Sequence, residues 1–278
     1  ATTTSFNTST VFGTTTSYTT TFVTSRATST NFVTATSRNT NYSTTQSNLL
    51  ATFPSWVAGT TGSATGYGQN GDGNSRINDT NPHGTTDVIW DVSNQDTASN
   101  ADGGWNGSYV SIDKTKIYRF SVWIKRKVTG NGTSYFGLNA DGGGVDQKLP
   151  SGYYAPPTNP YFWYGTPPSQ GDWYLFVGHV WPTGSGNGAL HPDSGIYNTS
   201  GTKVANVNHD FIWRSGATQT RHRAYLYYST NTSTNQQFWD PRIESLENAP
   251  ELGNFFSVSP GTNRMYATAN YFNTSRGT

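Results

Sequence analysis

Six large aromatic rings lie within twelve residues in the second half of the chain, in the segment 153–164. Three prolines restrict the backbone of the same segment, so its rings are not expected to be exposed without a purpose. Sugars present C–H patches that stack on Trp and Tyr rings, while Asn, Asp and Arg hydrogen-bond to sugar hydroxyls. The segment therefore predicts a site for a neutral glycan, with the ligand-binding residues Tyr153, Tyr154, Tyr161, Trp163 and Tyr164. The alternative is that these rings pack a subunit interface or a satellite core.

Two tryptophans outside this segment are candidates for a second stacking surface. Residues 117–128 alternate as a half-buried antiparallel strand. Its expected apolar face consists of Tyr118, Phe120, Val122 and Ile124. Residues 223–229 alternate in the same way. Their expected outward face consists of Arg223, Tyr225 and Tyr227. Trp123 is expected to point away from the core beside two cations, and we predict Trp123 or Trp105 as the second ligand-binding ring.

The histidines and carboxylates of the chain show no catalytic pattern. The histidines without metal-ligand spacing are His83, His179, His191, His209 and His222. The chain contains no Gly-x-Ser-x-Gly motif, and many of its carboxylates stand beside Gly or Asn in expected turns. We therefore predict that the protein is not an enzyme and that it uses no cofactor.

The composition is that of an all-β chain. It contains 30 Gly, 9 Trp, 17 Tyr and 14 Phe; aromatic residues populate strands, while Gly populates turns. The net charge is +1, so neither nucleic acid nor an anionic membrane is expected as a partner. No run approaches the length of a membrane span, so no membrane insertion is expected. The chain has no cysteine, which excludes disulfides and thiolate metal sites.

Short strands separated by turn residues predict an antiparallel β-sandwich over residues 85–249. The expected strands are residues 86–93, 117–128, 173–181, 210–214, 223–229 and 238–246. Residues 53–84 are rich in Gly, Thr and Asn, and we expect them to form a collar or linker.

Residues 1–52 are rich in Thr and Ser and carry a repeat with a period of ten residues. Its aromatic positions are Phe12, Phe22, Phe32 and Tyr42. A repeat unit that cannot bury its own ring must bury it against other copies, so we predict an extended β-repeat shaft built by a homotrimer. The alternative is a disordered stalk. Residues 6–9 recur letter for letter at 272–275, so residues 250–278 are expected to return to the fibre repeat.

Four segments of the sandwich region together carry a family resemblance. They are Asp-Gly-Gly-Trp at 102–105, Tyr-Arg-Phe-Ser-Val-Trp-Ile-Lys at 118–125, Ala-Tyr-Leu-Tyr-Tyr at 224–228 and Phe-Trp-Asp-Pro-Arg-Ile-Glu at 238–244. They resemble the jelly roll of carbohydrate-binding modules with the galactose-binding-like fold, and more narrowly the versions inserted in bacteriophage tail fibres. The Thr/Ser repeat is similar to the shaft segments of phage fibres, including those of cyanophages.

The resemblance implies a ligand, a location and an ion. In that family an Asp near the end of the penultimate strand can lie beside a structural calcium, and this position corresponds to Asp240; the upstream acidic partner is not evident in this sequence. The implied protein is a non-enzymatic tail-fibre segment of the virion, which binds a host cell-surface glycan or lipopolysaccharide and assembles with other virion tail proteins. The lack of a visible secretion signal fits a virion protein released by lysis.

A second function class stays open beside this one. The chain can instead be a purely structural fibre, or a subunit of a head-to-tail filament, whose β-domain mediates assembly.

Overall fold

The structure is a computed structural model that describes residues 48–128, 130–148, 159–247, 249 and 252–256, together with the backbone of residues 3–9, 15–23 and 31–35. The chain divides into two compact units, Ala1–Thr45 and Gln46–Thr278.

The first unit contains three antiparallel strands in sequential order, β1 (Thr3–Ser9), β2 (Thr15–Val23) and β3 (Asn31–Ala35). Phe22 and Phe32, which are one repeat period apart, are register partners in the β2–β3 pair. These strands pair with one another within a single chain. A shaft built from several chains therefore stays a prediction.

In the part of the second unit that the structure describes, fifteen strands form a β-sandwich accompanied by two short 3₁₀ helices. The strands are β4 (Tyr67–Gln69), β5 (Asn74–Thr80), β6 (Thr86–Ser93), β7 (Ala101–Gly107), β8 (Val110–Ser111), β9 (Tyr118–Val128), β10 (Thr133–Ala140), β11 (Val145–Lys148), β12 (Tyr161–Gly165), β13 (Trp173–Trp181), β14 (Gly195–Tyr197), β15 (Lys203–Ala205), β16 (Asp210–Trp213), β17 (Gln219–Tyr227) and β18 (Asn235–Ser245). The 3₁₀ helices are Leu49–Thr52 and Leu252–Phe255.

The strands form two sheets that pack face to face. The six-stranded sheet has the order β12-β10-β17-β7-β4, with β8 also pairing with β17. The nine-stranded sheet has the order β11-β16-β13-β9-β18-β6-β5, with β14 on β13 and β15 on β14. All pairs within the two sheets are antiparallel except β13 with β16. The predicted all-β antiparallel sandwich is confirmed.

The core between the sheets is built around large aromatic side chains. Trp90 of β6 and Trp105 of β7 are fully buried, and their ring centroids are 5.2 Å apart. Trp56 closes this group, with its ring 5.4 Å from Trp90 and 5.6 Å from Trp105. The four residues predicted for the apolar face of β9 all belong to this core. The alternation of residues 117–128 therefore identified the correct inward face.

The outer face of the nine-stranded sheet is covered as well. A second apolar cluster lies there and includes Trp123, Leu175 and Trp239. The segment 252–256 packs on it, with the Phe256 ring 5.8 Å from Trp123 and the Phe255 ring 4.8 Å from the guanidinium of Arg119. Central strands of a sheet covered on both faces are apolar on both sides. Alternation alone could not reveal this cover.

Residues 53–84, for which we expected a collar or linker, contribute β4 and β5 to the two sheets. β5 is an edge strand in which polar residues predominate, and Tyr67 of β4 is buried in the core. Edge strands need no continuous apolar pattern, so the sequence carried only a weak strand signal here.

Among the residues that the structure describes, no helix is long and apolar enough to span a membrane.

Candidate functional site

Six tyrosines whose rings contact one another line the outer side of the six-stranded sheet, and one of them, Tyr225, is buried at 1% exposure. We call this surface the tyrosine face; its members are Tyr135, Tyr161, Tyr164, Tyr225, Tyr227 and Tyr228. Tyr135 lies at its centre, with ring centroids 4.6 Å from Tyr161, 6.2 Å from Tyr164 and 5.9 Å from Tyr227. Tyr164 and Tyr228 are 50% and 49% exposed, so the face presents rings to solvent.

The alternation of β17 positions the middle of the face. Residues 221, 223, 225 and 227 point outwards, while Ala224 and Leu226 enter the core. Tyr225 is the register partner of Tyr135 in β10 on one side and of Gly104 in β7 on the other. Gly104 has a φ of +112°, and a Cβ atom there would lie 2.0 Å from the carbonyl oxygen of Ala224. Only glycine allows β7 to approach β17 so closely at this row.

A β-bulge in the pairing of β10 with β12 positions the edge of the face. Phe136 pairs with Trp163, whereas the next residue, Gly137, pairs with Tyr161, so the register shifts by one residue between them. The extra residue places two consecutive side chains, Phe162 and Trp163, on the inner side, where they are 0% and 7% exposed. Tyr161 and Tyr164, which flank them, both reach the tyrosine face.

Three of the predicted ligand-binding rings lie in the interior. Trp163 packs on Phe176 with ring centroids 4.6 Å apart, and Trp105 is fully buried with its indole next to Phe238 at 5.1 Å. Trp123 is 1% exposed beneath Phe256. The expectation that these three tryptophans are exposed is wrong, because the bulge turns Trp163 inwards, Trp105 is on the inner side of β7, and a second layer covers Trp123.

The remaining predicted residues divide into two groups. Tyr161 and Tyr164 lie on the tyrosine face. Tyr153 and Tyr154 are outside the described residues, and their role as ligand-binding residues stays a prediction.

Four tyrosines of the face were missing from the predicted site. The alternation of residues 223–229 predicts that Tyr225 and Tyr227 point outwards beside Arg223, and this pattern is the sequence signal for their part of the face. Tyr228 belonged by alternation to the inner side, yet it has a φ of +66° and follows a register shift between Leu226 and Tyr227. Tyr135 alternates in β10 in the same way as its partners in β17, and this alternation could have identified it.

Polar groups are interleaved with the rings. The guanidinium of Arg223 lies 5.3 Å from the Tyr161 ring and 5.1 Å from the Tyr225 ring. Its Nε donates to the Tyr225 hydroxyl, and both of its terminal nitrogens approach Oδ1 of Asn159, at 3.4 and 3.5 Å. The Tyr225 hydroxyl in turn donates to Oδ1 of Asn106 at 2.5 Å.

The phenols of Tyr135, Tyr161 and Tyr225 are protonated at neutral pH. Burial raises the pKa of Tyr161 to about 12, and burial also raises the pKa of Tyr135 and Tyr225. The hydroxyls can therefore both donate and accept hydrogen bonds. Apolar rings, neutral hydroxyls, amides and a guanidinium on one surface are the groups that bind a ligand bearing C–H faces and hydroxyls.

Asp240, the predicted calcium ligand, occupies a strained position at a bulge in β18. Its φ is +48°, and the register shifts between Trp239 and Arg242. The carboxylate faces a cation, because Nη1 of Arg242 lies 3.4 Å from each of its oxygens. It lines a cleft of about 360 Å³ with Asp87, whose oxygens accept the Val88 N–H and the Trp239 indole.

A calcium site needs six to eight oxygen ligands. In the described part of the chain no three His, Asp or Glu side chains are grouped to hold a metal. The residues around Asp240 do not fit the ion, and calcium binding there stays a prediction without structural support.

One buried cluster contains Ser, His and Asp side chains. His179 Nδ1 lies 2.7 Å from Ser194 Oγ, which donates to Asp210 at 2.7 Å. In a catalytic triad the histidine bridges the serine and the carboxylate, whereas here the serine bridges the other two. All three residues are fully buried, and burial lowers the pKa of His179 far below its ordinary value. The arrangement fits a structural hydrogen-bond network without contact to solvent.

Comparison with known protein families found no family model that matches the chain, and comparison with curated proteins found no match.

Proposed function

We propose that the tyrosine face binds a glycan of a host cell surface and that the chain is a non-enzymatic segment of a phage-type tail fibre. The observation that carries the proposal is the continuity of the six rings, of which Tyr164 and Tyr228 are half exposed and Tyr225 is buried, with polar groups between them. Monomeric proteins rarely expose a large apolar surface that nothing covers. The hydroxyls and amides of this face make a sugar, rather than a purely apolar partner, the better match.

The fibre part of the proposal depends on the sequence of residues 1–52. The ten-residue repeat supports a homotrimeric shaft, and a shaft would present three tyrosine faces together. A single stacking site gives affinities of about millimolar. Several linked sites convert such weak binding into stable attachment through effective concentration. In this proposal the protein belongs to the virion, where it contacts lipopolysaccharide or another surface glycan and other tail proteins.

The alternative is that the tyrosine face mediates assembly between subunits. Tyrosine is enriched at protein interfaces as well as at sugar sites, so the ring chemistry alone does not separate the two functions. The two functions differ in what removal of the exposed rings would change.

Replacing Tyr164 and Tyr228 together by alanine is expected to weaken glycan binding by about thirtyfold, because two stacked rings contribute about 2 kcal/mol. Binding would be measured by screening the full chain on a glycan array and titrating the strongest ligand. Both residues are about half exposed, so the melting temperature should change little.

The matched control is Trp181→Ala, which removes a partly buried ring with the Lys148 ammonium 4.3 Å above it, on the other sheet. This control should bind like the wild type. If the double variant binds normally, the glycan site lies elsewhere. If light scattering shows that it changes the oligomeric state of the chain, the tyrosine face is an assembly interface.

A further inference from the structure

Two arginines of the tyrosine face have no acidic partner among the described residues. Arg221 and Arg223 stand two positions apart on the outward side of β17. The other two described arginines with partly exposed side chains pair with carboxylates: Arg214 with Asp146 at 3.1 Å and Arg242 with Glu244 at 2.7 Å. No carboxylate lies within ion-pair distance of Arg221 or Arg223 in the described part of the chain.

The outward positions of the described strands that flank β17 carry no carboxylate. The outward positions of the flanking strands are Thr133, Tyr135, Gly137 and Asn139 in β10, Gly104 and Asn106 in β7, and Tyr161 and Tyr164 in β12. Residues 149–158, which precede β12 in the chain, contain neither Asp nor Glu in their sequence. The carboxylate that follows β10, Asp141, accepts the backbone N–H groups of Thr218 and Gln219. None of the outward strand positions named above therefore places a carboxylate beside Arg223.

The hydrogen bonds of Arg223 leave donors for a ligand. With the residues that the structure describes, its terminal nitrogens make only long contacts, 3.4 and 3.5 Å to Asn159 and 3.5 Å to the Tyr161 hydroxyl. The flanking Tyr161 and Tyr225 rings hold the guanidinium by cation–π contact and so reduce the entropy that it would lose on binding. The Nε of Arg221 is buried and has no hydrogen-bond partner among the described residues, and its guanidinium lies 5.0 Å from the Tyr109 ring.

We infer that the glycan recognised by the tyrosine face is anionic, with a carboxylate or phosphate of the sugar held by Arg223 and supported by Arg221. A guanidinium presents two parallel N–H groups that match the oxygens of such an anion, and a charge-assisted pair of this kind is about twice as strong as a neutral hydrogen bond. The inference rests on the proposed function and differs from the neutral glycan that the aromatic segment alone predicts.

The test uses two matched pairs of polymers with the full chain. One pair is polygalacturonate and its carboxyl-reduced form, which has the same sugars without the carboxylate. The other is a phosphomannan and its dephosphorylated form. At least one anionic polymer is expected to bind about tenfold tighter than its neutral counterpart, and the pair that shows the difference identifies the anion.

Arg223→Met is expected to abolish that preference, so that the anionic polymer and its neutral counterpart bind this variant equally. Arg223→Lys keeps the charge but loses the planar fork, so it should restore part of the preference. The control Lys203→Met removes one positive charge from β15 of the other sheet, where the Lys203 ammonium donates to the Pro192 carbonyl at 3.1 Å, and it should bind like the wild type. Should Arg223→Met fail to fold, Arg221→Met supplies the same comparison with a smaller expected loss.

Three outcomes would overturn the inference. If both anionic polymers bind as tightly as their neutral forms, the glycan proposal stands, but the protein does not recognise the negative charge of the glycan. If Arg223→Met and Lys203→Met lose the same affinity for the anionic polymer, and both losses disappear at high salt, the attraction is nonspecific and electrostatic. Absence of binding to all four polymers, together with an empty glycan array, would overturn both this inference and the proposed function.

Discussion

Replacing Trp105 by alanine is expected to destabilise the sandwich by about 4 kcal/mol, the range measured when a buried Trp or Phe is truncated. Trp105 is fully buried and its ring contacts Trp56, Tyr67 and Trp90 at centroid distances of 5.2 to 5.7 Å. For a unit of this size the loss corresponds to a fall of roughly 10 °C in Tm. Urea or thermal unfolding of the full chain would measure it.

The control for this change is Val204→Ala in β15. Val204 is 45% exposed, so the free energy of unfolding should change by less than about 0.5 kcal/mol. A Trp105→Ala variant that keeps the stability of the wild type would mean that Trp105 is outside the core, as a ligand-binding ring would be.

Stability is expected to fall steeply as the pH drops from about 7 to about 5, and His222 is expected to contribute about 2 kcal/mol of that fall. Burial lowers the pKa of His222 to about 3, whereas an unfolded histidine titrates near its ordinary value of about 6.5. Above that value both states are neutral at this position. Below that value the unfolded chain takes up a proton at His222 and the folded chain does not. The free energy of unfolding therefore falls by about 1.4 kcal/mol for each pH unit, until the pH reaches the pKa of the folded state.

The surroundings of His222 explain why it stays neutral. Its Nε2 lies 3.2 Å from the Ser121 carbonyl oxygen and donates to it, while its ring stacks on Trp105 at 5.8 Å. The Nδ1 atom is buried and has no hydrogen-bond partner among the described residues. If Nδ1 took up a proton, its N–H would find no acceptor. Burial also lowers the pKa of His179, His191 and His209, and these residues add to the same trend.

A His222→Gln variant separates this residue from the others. The amide can still donate to the Ser121 carbonyl but does not titrate. Denaturant unfolding at several pH values should show that the wild type loses about 2 kcal/mol more between about pH 7 and pH 5 than the variant does. Parallel pH profiles for the two proteins would contradict a neutral, buried His222.

The sequence was sufficient to predict the elements that alternate or are continuously apolar. The strands expected at 86–93 and 173–181 match β6 and β13, and the strand expected at 117–128 matches β9 to within one residue. The polar edge strand β5 was not recognised, since its residues need no apolar face. The alternation of apolar and polar side chains can be seen within a single strand. It therefore identifies strands that are buried between the two sheets, and it does not identify polar edge strands.

The candidate site was predictable only in part, because its geometry depends on irregularities that no local pattern reveals. The bulge opposite Gly137 sends Trp163 inwards between Tyr161 and Tyr164, and the register shift near Tyr227 brings Tyr228 to the surface. The cover over Trp123 comes from a segment more than a hundred residues away in the chain. Contacts between residues far apart in the sequence therefore determine which of these rings are buried and which are exposed.

Hydroxyl-radical footprinting of the full chain, with and without the polysaccharide that binds tightest in the array, tests the central claim most directly. Oxidation of Tyr164 and Tyr228 should fall by several-fold on binding, because a stacked sugar covers the half-exposed rings. Val57, which is 64% exposed outside the tyrosine face, should react equally in both samples. Unchanged oxidation of the two tyrosines in a sample saturated with the bound polysaccharide would contradict glycan binding at the tyrosine face.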